Sequence, residues 1–266
     1  MTFADAKQRF SNRVTDYVRY RPSYPSALLD LLRAECDLRP DRTIADIGSG
    51  TGLLTKLFLD NGNRVFGVEP NEEMRAASEH FLEAYRDFSS INGSAEATTL
   101  PPQSVDFITA GQAFHWFNVE LAGREFRRIL KPAGWVVVVW QDRRMEDTPF
   151  AKAYEELLER FGVDYKRVKD AYPEKEKIRT FFDSESFRSC DLPNHQVFDW
   201  EGLCGRLRSS SFAPTESHAN YAPMMVHLRK IFEQHHESGS VRMDYFARVY
   251  FGSLPRNTRG RFPTTG

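Results

Sequence analysis

A glycine-rich segment constrains the fold more than any other part of this sequence. The residues from Asp46 to Gly52 read Asp-Ile-Gly-Ser-Gly-Thr-Gly and begin inside a short β-branched run, 43–47. A run of this kind that stops at glycines predicts a buried strand, and the apolar stretch 53–59 predicts a helix directly after the loop. Glycines there let the backbone turn sharply and approach a ligand without a clashing Cβ. The segment therefore predicts a ligand site where the strand ends and the helix begins.

Short apolar strands alternate with helices through residues 40–142. This alternation predicts an α/β protein with a mostly parallel sheet. The fifth of these strands, at 135–141, is almost wholly apolar, as expected for a strand that is covered on both faces. The further strands are predicted at 64–68, 88–91, 105–110 and 135–141, and the helices at 28–32, 72–85 and 119–130, the last with Asn118 as N-cap.

The remainder of the chain is denser in charge. It predicts a helix over 149–161, a strand over 196–200, helices near 201–212 and 222–237, and a last strand over 241–251. Apolar and charged residues alternate in that last strand, which indicates an antiparallel, half-exposed strand.

Composition and charge narrow the classes of protein. The net charge is −1, which argues against a broad polyanion-binding surface. Residues 203–266 carry nine Lys/Arg and four Asp/Glu, so this stretch could attract an anionic substrate or be a solvated surface. The chain has no apolar run long enough to span a bilayer and no signal-peptide pattern at its N-terminus. Three widely spaced cysteines match no metal site and indicate reduced thiols in a cytoplasmic protein.

The glycine loop favours a ligand with a cationic group over a dinucleotide. Its Gly-x-Gly-x-Gly spacing departs from the dinucleotide fingerprint, and Asp46 would repel a phosphate but attract a cationic group. Glu69 follows the second strand, 21 positions after Gly48, where a carboxylate can accept hydrogen bonds from both ribose hydroxyls. Two alternatives stay open: the loop as a purely structural turn, and Glu69 as a cap of the helix that starts near Asn71.

These residues are part of a longer resemblance. The segment 46–52 resembles motif I of the class I S-adenosylmethionine-dependent methyltransferases, and four further blocks of that family follow in the same order. The N-terminal Tyr-Arg-Pro-Ser-Tyr-Pro of 20–25, together with His115-Trp116, is similar to the branch that contains trans-aconitate methyltransferase-like enzymes. The four blocks are 65–74, 93–106, 114–117 and 128–134.

The resemblance implies a Rossmann-like class I methyltransferase fold. Its seven-stranded sheet would be mostly parallel, with an antiparallel last strand and a helical cap. One domain would span 1–266, with the cofactor-binding core at about 31–142, the cap at about 1–30 and 143–240, and the final strand at about 241–251.

The resemblance also implies S-adenosyl-L-methionine as the cofactor and assigns residues to it. Asp46 would face the methionine ammonium, and Glu69 would hold the ribose hydroxyls. Tyr20 would close the pocket from the N-terminal segment. The other implied cofactor-binding residues are Gly48, Ser49 and Gly50 at the methionine and ribose, Pro70, Asn71, Met74, Ala95 and Glu96 around the adenine, and Gly111 and Gln112 near the methyl group.

His115 and Trp116 are the predicted catalytic residues, at the reaction edge after the fourth strand. His115 could act as base, substrate orienter or donor to a carboxylate, and Trp116 could form the pocket wall; a structural histidine is the alternative. Arg206 and Arg208 could bind a substrate anion or simply favour a helix C-terminus. No metal site is predicted, because His235-His236 lacks partners at ligand spacing.

The sequence thus predicts methyl transfer to a small-molecule acceptor, with a carboxylate as one candidate, by in-line displacement. The predicted assembly is a monomer or homodimer, without a membrane and without nucleic acid as a partner. Three rivals remain: methylation of a nucleic acid or protein, a cofactor-binding protein without catalysis, and an NAD-dependent oxidoreductase.

Overall fold

The computed structural model describes residues 20–166, 175–182 and 187–254. Within these ranges, helices and strands alternate from Ala27 to Ile91, as the apolar pattern predicts. None of the described helices has the length and apolar character that crossing a bilayer requires. The helices are α1 (Ala27–Cys36), α2 (Leu53–Asp60), α3 (Glu72–Phe81), α4 (Val119–Ile129), α5 (Pro149–Phe161), α6 (Lys175–Phe182), α7 (Trp200–Arg208) and α8 (Tyr221–His235), with a 3₁₀ helix at Phe114–Trp116. The strands are β1 (Thr43–Ile47), β2 (Arg64–Val68), β3 (Phe88–Ile91), β4 (Val105–Gly111), β5 (Leu130–Arg143), β6 (Phe187–Phe198) and β7 (Val241–Gly252).

One seven-stranded sheet organises the described residues, in the order β3-β2-β1-β4-β5-β7-β6. The first five strands of the chain pair in parallel. Strand β7 pairs antiparallel with both β5 and β6. The strand order reverses beside β1, between β2 and β4, which is the switch point where open α/β sheets bind ligands. The predicted fold class, a mostly parallel sheet with an antiparallel last strand, is confirmed.

Apolar side chains on both faces of the sheet form the core. In the centre of β5, Val136, Val137, Val138 and Val139 are all 0% exposed, which confirms a strand covered on both faces. Helix α4 contributes Phe126 to the core, and the side chain of Asn118 caps its first turn by accepting a hydrogen bond from the Leu121 backbone N–H. Local capping and apolar spacing therefore direct the same helix onto the sheet.

The sequence-based strand at 196–200 is wrong in its bounds. Strand β6 spans Phe187–Phe198, and Trp200 begins helix α7. The error has a physical cause: β6 is the edge strand, most of its residues are partly or fully exposed, and it contains Pro193. An edge strand needs no continuous apolar run, so its sequence carries little strand signal.

The same finding changes the predicted cap. Residues 187–198 fall in the range assigned to the cap from sequence, yet they are a strand of the sheet. Residues 1–19 of the predicted cap lie outside the described residues. Helices α5, α7 and α8 share a separate apolar cluster that includes Tyr154, Leu203 and Leu228.

Replacing Phe126 tests the packing of α4 on the sheet. Phe126→Ala removes a ring that is 0% exposed, so we expect the free energy of unfolding to fall by about 3–5 kcal/mol. Leu121→Ala in the same helix is the control, since Leu121 is 44% exposed and its loss should change the value by less than about 0.5 kcal/mol. Chemical denaturation followed by circular dichroism measures both, and equal effects would contradict the described packing.

Candidate functional site

A cavity opens at the carboxyl ends of β1, β2 and β4, on the loop that the sequence singled out. Its wall combines the glycine loop, the end of β2, the end of β4 and a segment before α1. Two carboxylates and several aromatic rings face it. The lining residues are Arg21, Pro22, Tyr24, Asp46, Gly48, Ser49, Gly50, Thr51, Leu53, Leu54, Glu69, Pro70, Asn71, Met74, Ala95, Gly111, Gln112, Ala113, Trp116, Phe117 and Gln141.

Asp46 lies at the bottom of this cavity and is 1% exposed. Its carboxylate accepts hydrogen bonds from two hydroxyls, Thr55 Oγ1 at 2.7 Å and Thr109 Oγ1 at 2.9 Å. Burial raises the pKa of Asp46 to about 6, although both hydrogen bonds favour the charged form. Asp46 therefore ties α2 and β4 to β1 while it contributes a buried acidic group to the cavity.

Glu69 fixes the glycine loop from the end of β2. Its Oε2 accepts the Gly50 N–H at 3.0 Å, and its Oε1 accepts the Asn71 N–H at 2.9 Å. Burial raises the pKa of Glu69, which these backbone donors partly oppose. Gly48 has a φ of +67°, and a Cβ there would lie 2.6 Å from the Ala113 side chain, so the turn requires glycine.

Four of the five residues that the resemblance assigns to the adenine lie in the cavity wall. Pro70, Asn71, Met74 and Ala95 line the cavity. Glu96 is not among the lining residues, and its Oε1 accepts the Asn118 N–H at 2.8 Å instead. The role of Glu96 at the cofactor therefore finds no support in this geometry.

The segment 20–25, which we call the N-terminal strap, crosses the cavity mouth. Tyr24 lines the cavity, and its hydroxyl lies so close to Gly111 that a side chain at 111 would clash with it. Tyr20 does not line the cavity but packs against Gly205 of α7. Tyr24, rather than the predicted Tyr20, therefore lies in the wall of this cavity.

Polar side chains of the sheet hold the strap. The Ser23 carbonyl accepts Gln141 Nε2 at 3.0 Å and Asn194 Nδ2 at 2.7 Å. Arg21 Nη2 donates to the Ser209 carbonyl at 2.8 Å, at the end of α7. These contacts join the N-terminal segment to β5, β6 and α7.

A second cavity adjoins the first. The two share Arg21, Pro22, Gln112 and Gln141 in their walls. Five arginines and two aspartates line the second cavity, among them Arg206, one of the two arginines considered from sequence as an anion site. Its remaining lining residues are Trp140, Asp142, Arg143, Arg144, Met145, Asp147, Tyr165, Phe212, Tyr245, Phe246, Arg248 and Tyr250.

His115 and Trp116 lie in the 3₁₀ helix after β4, with ring centroids 4.7 Å apart. Trp116 lines the first cavity, whereas His115 lines neither. Burial and the charge of Lys177 lower the pKa of His115 to about 4, so its imidazole is neutral near pH 7. The His115 ring lies beside the Trp116 ring, and His115 is not among the residues that line the two described cavities.

Several lining residues escaped the sequence analysis. Arg21 and Tyr24 lie in the segment 20–25, and the resemblance of this segment predicts only Tyr20 at the pocket. Gln141 is the first polar residue after the apolar centre of β5, so the rule that ligands bind at the carboxyl ends of strands could have found it. Phe117, which is buried beside Gly48, lies in the 114–117 block of the resemblance, where pocket wall or core is the interpretation for its ring.

The described residues contain no group of three His, Cys, Asp or Glu side chains that could hold a metal ion. Cys36, Cys190 and Cys204 are free thiols. Burial is the main reason that the pKa of Cys36 rises to about 12 and that of Cys204 to about 11, so both are protonated near neutral pH.

Comparison with known proteins gives one consistent class. A methyltransferase of Schizosaccharomyces pombe is 31% identical over 155 residues, which are 57% of this chain and 59% of the relative. A solved structure named as a type II methyltransferase from Anaeromyxobacter dehalogenans superposes with a TM-score of 0.64 at 22% identity. The match covers 89% of this chain and 100% of that one. Haemonchus contortus phosphoethanolamine N-methyltransferase 2, in complex with S-adenosylhomocysteine, superposes with a TM-score of 0.55 at 15% identity. This match covers 96% of this chain and 59% of that one. The chain spans less than two thirds of the Schizosaccharomyces relative.

The sheet order and the cavity beside β1 define a class I methyltransferase fold. Residues 45–138 match the model of the methyltransferase domain family. The cofactor of this class is S-adenosylmethionine.

The residues of the first cavity fit that cofactor. S-Adenosylmethionine carries a sulfonium and an ammonium, and Asp46, Glu69 and the rings of Trp116 and Phe117 suit positive charge. Thr51 Oγ1 is buried in the described structure without a hydrogen-bond partner, although Thr51 lines the cavity. A polar ligand in this cavity would satisfy that hydroxyl.

Glu69 is the first residue to test for cofactor binding. Glu69→Ala removes the contacts with the Gly50 and Asn71 N–H groups and the carboxylate that is expected to accept the ribose hydroxyls, so we expect the Kd for S-adenosylhomocysteine to rise by at least about tenfold. Isothermal titration calorimetry measures this change. Glu72→Ala is the control, because Glu72 is exposed in the first turn of α3. Similar Kd values for the two variants would contradict the assignment.

The pKa of Asp46 predicts a pH dependence of binding. With a pKa of about 6, the Asp46 carboxylate is mostly charged at pH 8 and mostly protonated at pH 5. Because only the charged form attracts the ligand ammonium, the affinity for S-adenosylhomocysteine should fall as the pH is lowered through 6. Calorimetry from pH 8 to 5 should show this fall for the native chain and a flatter profile for Asp46→Asn. Parallel profiles would contradict the role of Asp46.

Proposed function

We propose that this protein transfers a methyl group from S-adenosylmethionine to an anionic small molecule held in the second cavity, and that the accepting group is a carboxylate. The observation that carries this proposal is the shared wall. Arg21, Gln112 and Gln141 line both cavities, so a molecule in the second lies beside the cofactor cavity. The arginines in the second cavity favour an anion.

Two arginines of the second cavity are already paired with aspartates before any acceptor binds. Arg248 pairs with Asp142 and Asp191, each at 3.1 Å, and Arg144 pairs with Asp147. Arg206 is 7% exposed, and its described hydrogen bonds run to two hydroxyls, Tyr245 Oη at 3.2 Å and Ser210 Oγ at 2.9 Å. These hydroxyl contacts orient the guanidinium toward its place in the cavity wall. An anionic acceptor would be attracted to it.

The chemistry asks little of the protein beyond placement. The bound cofactor supplies an activated methyl group, and the methyl carbon passes to the nucleophile while the sulfur leaves as a neutral thioether. A carboxylate is already ionised at neutral pH and needs no general base. Gln112 and Gln141 lie where the two ligands meet, so these side chains can align the nucleophile with the methyl group.

Gln112 has the backbone strain that is common at such positions. Its φ is +57°, and its Nε2 donates to the Gln141 carbonyl at 3.2 Å. A non-glycine residue in the left-handed region is retained only where surrounding contacts impose it. Here the Gln112 N–H also donates to the Val139 carbonyl at 2.9 Å, which fixes the residue between the cavities.

The position of His115 agrees with a carboxylate acceptor. A hydroxyl or amine acceptor would usually need a base, and His115 is the residue that sequence reasoning selected for it. His115 lines neither cavity. The N-terminal resemblance to the trans-aconitate methyltransferase-like branch favours the same class of acceptor.

A panel of small acceptors tests the proposal. The chain is incubated with S-adenosylmethionine and carboxylates of three to six carbons, with amines and alcohols of matched length as controls. We expect S-adenosylhomocysteine to form with carboxylates and the product to be a methyl ester that alkali cleaves to methanol. Turnover with amines, alcohols or RNA and not with any carboxylate would contradict the proposal.

Arg206 gives a second test, which uses a carboxylate that is turned over. Arg206 lines the second cavity but not the first. Arg206→Gln should therefore raise the KM for the carboxylate by about tenfold and leave the Kd for S-adenosylhomocysteine unchanged. Arg242→Gln is the charge-matched control, since Arg242 is exposed and lines neither cavity. A rise in both constants, or in neither, would contradict the placement of the acceptor.

A further inference from the structure

The second cavity extends away from the cofactor along strand β5. Gln141, which lines both cavities, and Arg143, which lines only the second, are two residues apart on this strand. Residues i and i+2 of a strand lie on the same face, about 7 Å apart. Arg143 therefore lies on the Gln141 side of β5, about one such step farther from the cofactor.

A buried ion pair holds Arg143 in place. Its Nη2 contacts Glu155 Oε2 and donates to Tyr165 Oη at 3.0 Å, and Tyr165 Oη donates to Glu155 at 2.7 Å. The side chains of Arg143 and Glu155 are each 11% exposed. The Arg143 guanidinium also lies 5.0 Å from the ring centroid of Tyr154. One edge of the guanidinium is thus fixed before any ligand binds.

The Nε of Arg143 is the unexplained atom in this arrangement. It is buried and, in the part of the chain that the structure describes, it makes no hydrogen bond. A buried N–H without an acceptor is unfavourable, and natural proteins retain such groups where a ligand satisfies them. Arg143 lines the cavity, so a ligand there can supply the oxygen that this N–H lacks.

A second guanidinium lies at the same end of the cavity. Tyr245 pairs directly with Arg143 across β5 and β7, and Tyr245 Oη accepts Arg206 Nε at 3.2 Å. Tyr245, Arg143 and Arg206 all line the cavity. Two arginines therefore serve the end of the cavity that is away from the cofactor.

We infer that Arg143 anchors a subsite for a second anionic group of the acceptor, at the end of the cavity away from the transferred methyl group. The inference rests on the proposed function, because it takes the second cavity as the acceptor site. It adds a specificity-determining residue: the acceptor carries two anionic groups, one placed at the shared wall beside Gln141 and one held by Arg143. Because Arg143 is fixed in position, the distance between the two anionic groups of an acceptor determines whether it fits the cavity.

Binding without turnover tests the subsite. The chain is saturated with S-adenosylhomocysteine, and calorimetry measures the affinities for succinate, glutarate and adipate and for the chain-matched butyrate, valerate and hexanoate. We expect at least one dicarboxylate to bind ten times more tightly than its monocarboxylate partner. In Arg143→Gln this preference should fall below threefold, while the affinity for the monocarboxylate stays within twofold of the native value.

Two further variants make the result specific. Arg143→Gln leaves Glu155 buried without its cation, so the double variant Arg143→Gln/Glu155→Gln restores a neutral cluster and should show the same loss of preference in a folded protein. Arg242→Gln removes one positive charge at an exposed residue that lines neither cavity and pairs with Asp244. It should keep most of the native preference.

Three outcomes would overturn the inference. They are no preference for any dicarboxylate in the native chain, an equal loss of preference in Arg242→Gln, and a parallel loss of mono- and dicarboxylate affinity in the Arg143 variants. The proposed function fails separately, when S-adenosylmethionine and the acceptor panel yield no S-adenosylhomocysteine. Selective binding of a dicarboxylate without methyl transfer would uphold the subsite and refute the proposed reaction.

Discussion

The buried carboxylate of Asp46 is the contact on which the site depends. It lies at the end of β1 and accepts hydroxyl hydrogen bonds from Thr55 on α2 and Thr109 on β4. A buried carboxylate is unfavourable unless such donors surround it, so the geometry of these three elements is coupled at this point. The glycine loop starts two residues later, and Glu69 fixes it from the neighbouring strand. The position of the first cavity follows from these contacts.

The second cavity depends on contacts that are distant in sequence. The N-terminal strap is tied to β5 and β6 through Gln141 and Asn194, and to the end of α7 through Arg21. The antiparallel pairing of β5 with β7 places Tyr245 opposite Arg143, and Tyr245 in turn orients Arg206. The second cavity thus combines the strap, the extension of β5 and the C-terminal elements, whereas the first cavity uses mainly the parallel half of the sheet.

Sequence reasoning worked best where local rules apply. The strand–loop–helix unit around Gly48, the cap at Asn118 and the buried strand through Val137 each follow from residues close together in the chain. It failed at β6, because an edge strand lacks the apolar pattern of a central one. It also chose Tyr20 over Tyr24, since nothing in a run of aromatic residues shows which ring will face the cavity.

The sequence by itself determined the fold class and the loop that forms the first cavity, because these depend on the spacing of glycines, acids and apolar runs. The resemblance to a methyltransferase family supplied further residues that line this cavity. Only the tertiary structure decided that Glu96 accepts the Asn118 N–H, that His115 lies outside both cavities, and that Arg21, Gln141 and Arg143 line one second cavity. The physical reason is that the wall of the second cavity is placed by strand pairing and by hydrogen bonds between distant segments, such as Gln141 with Ser23, which are 118 residues apart. Local sequence carries no record of such pairings.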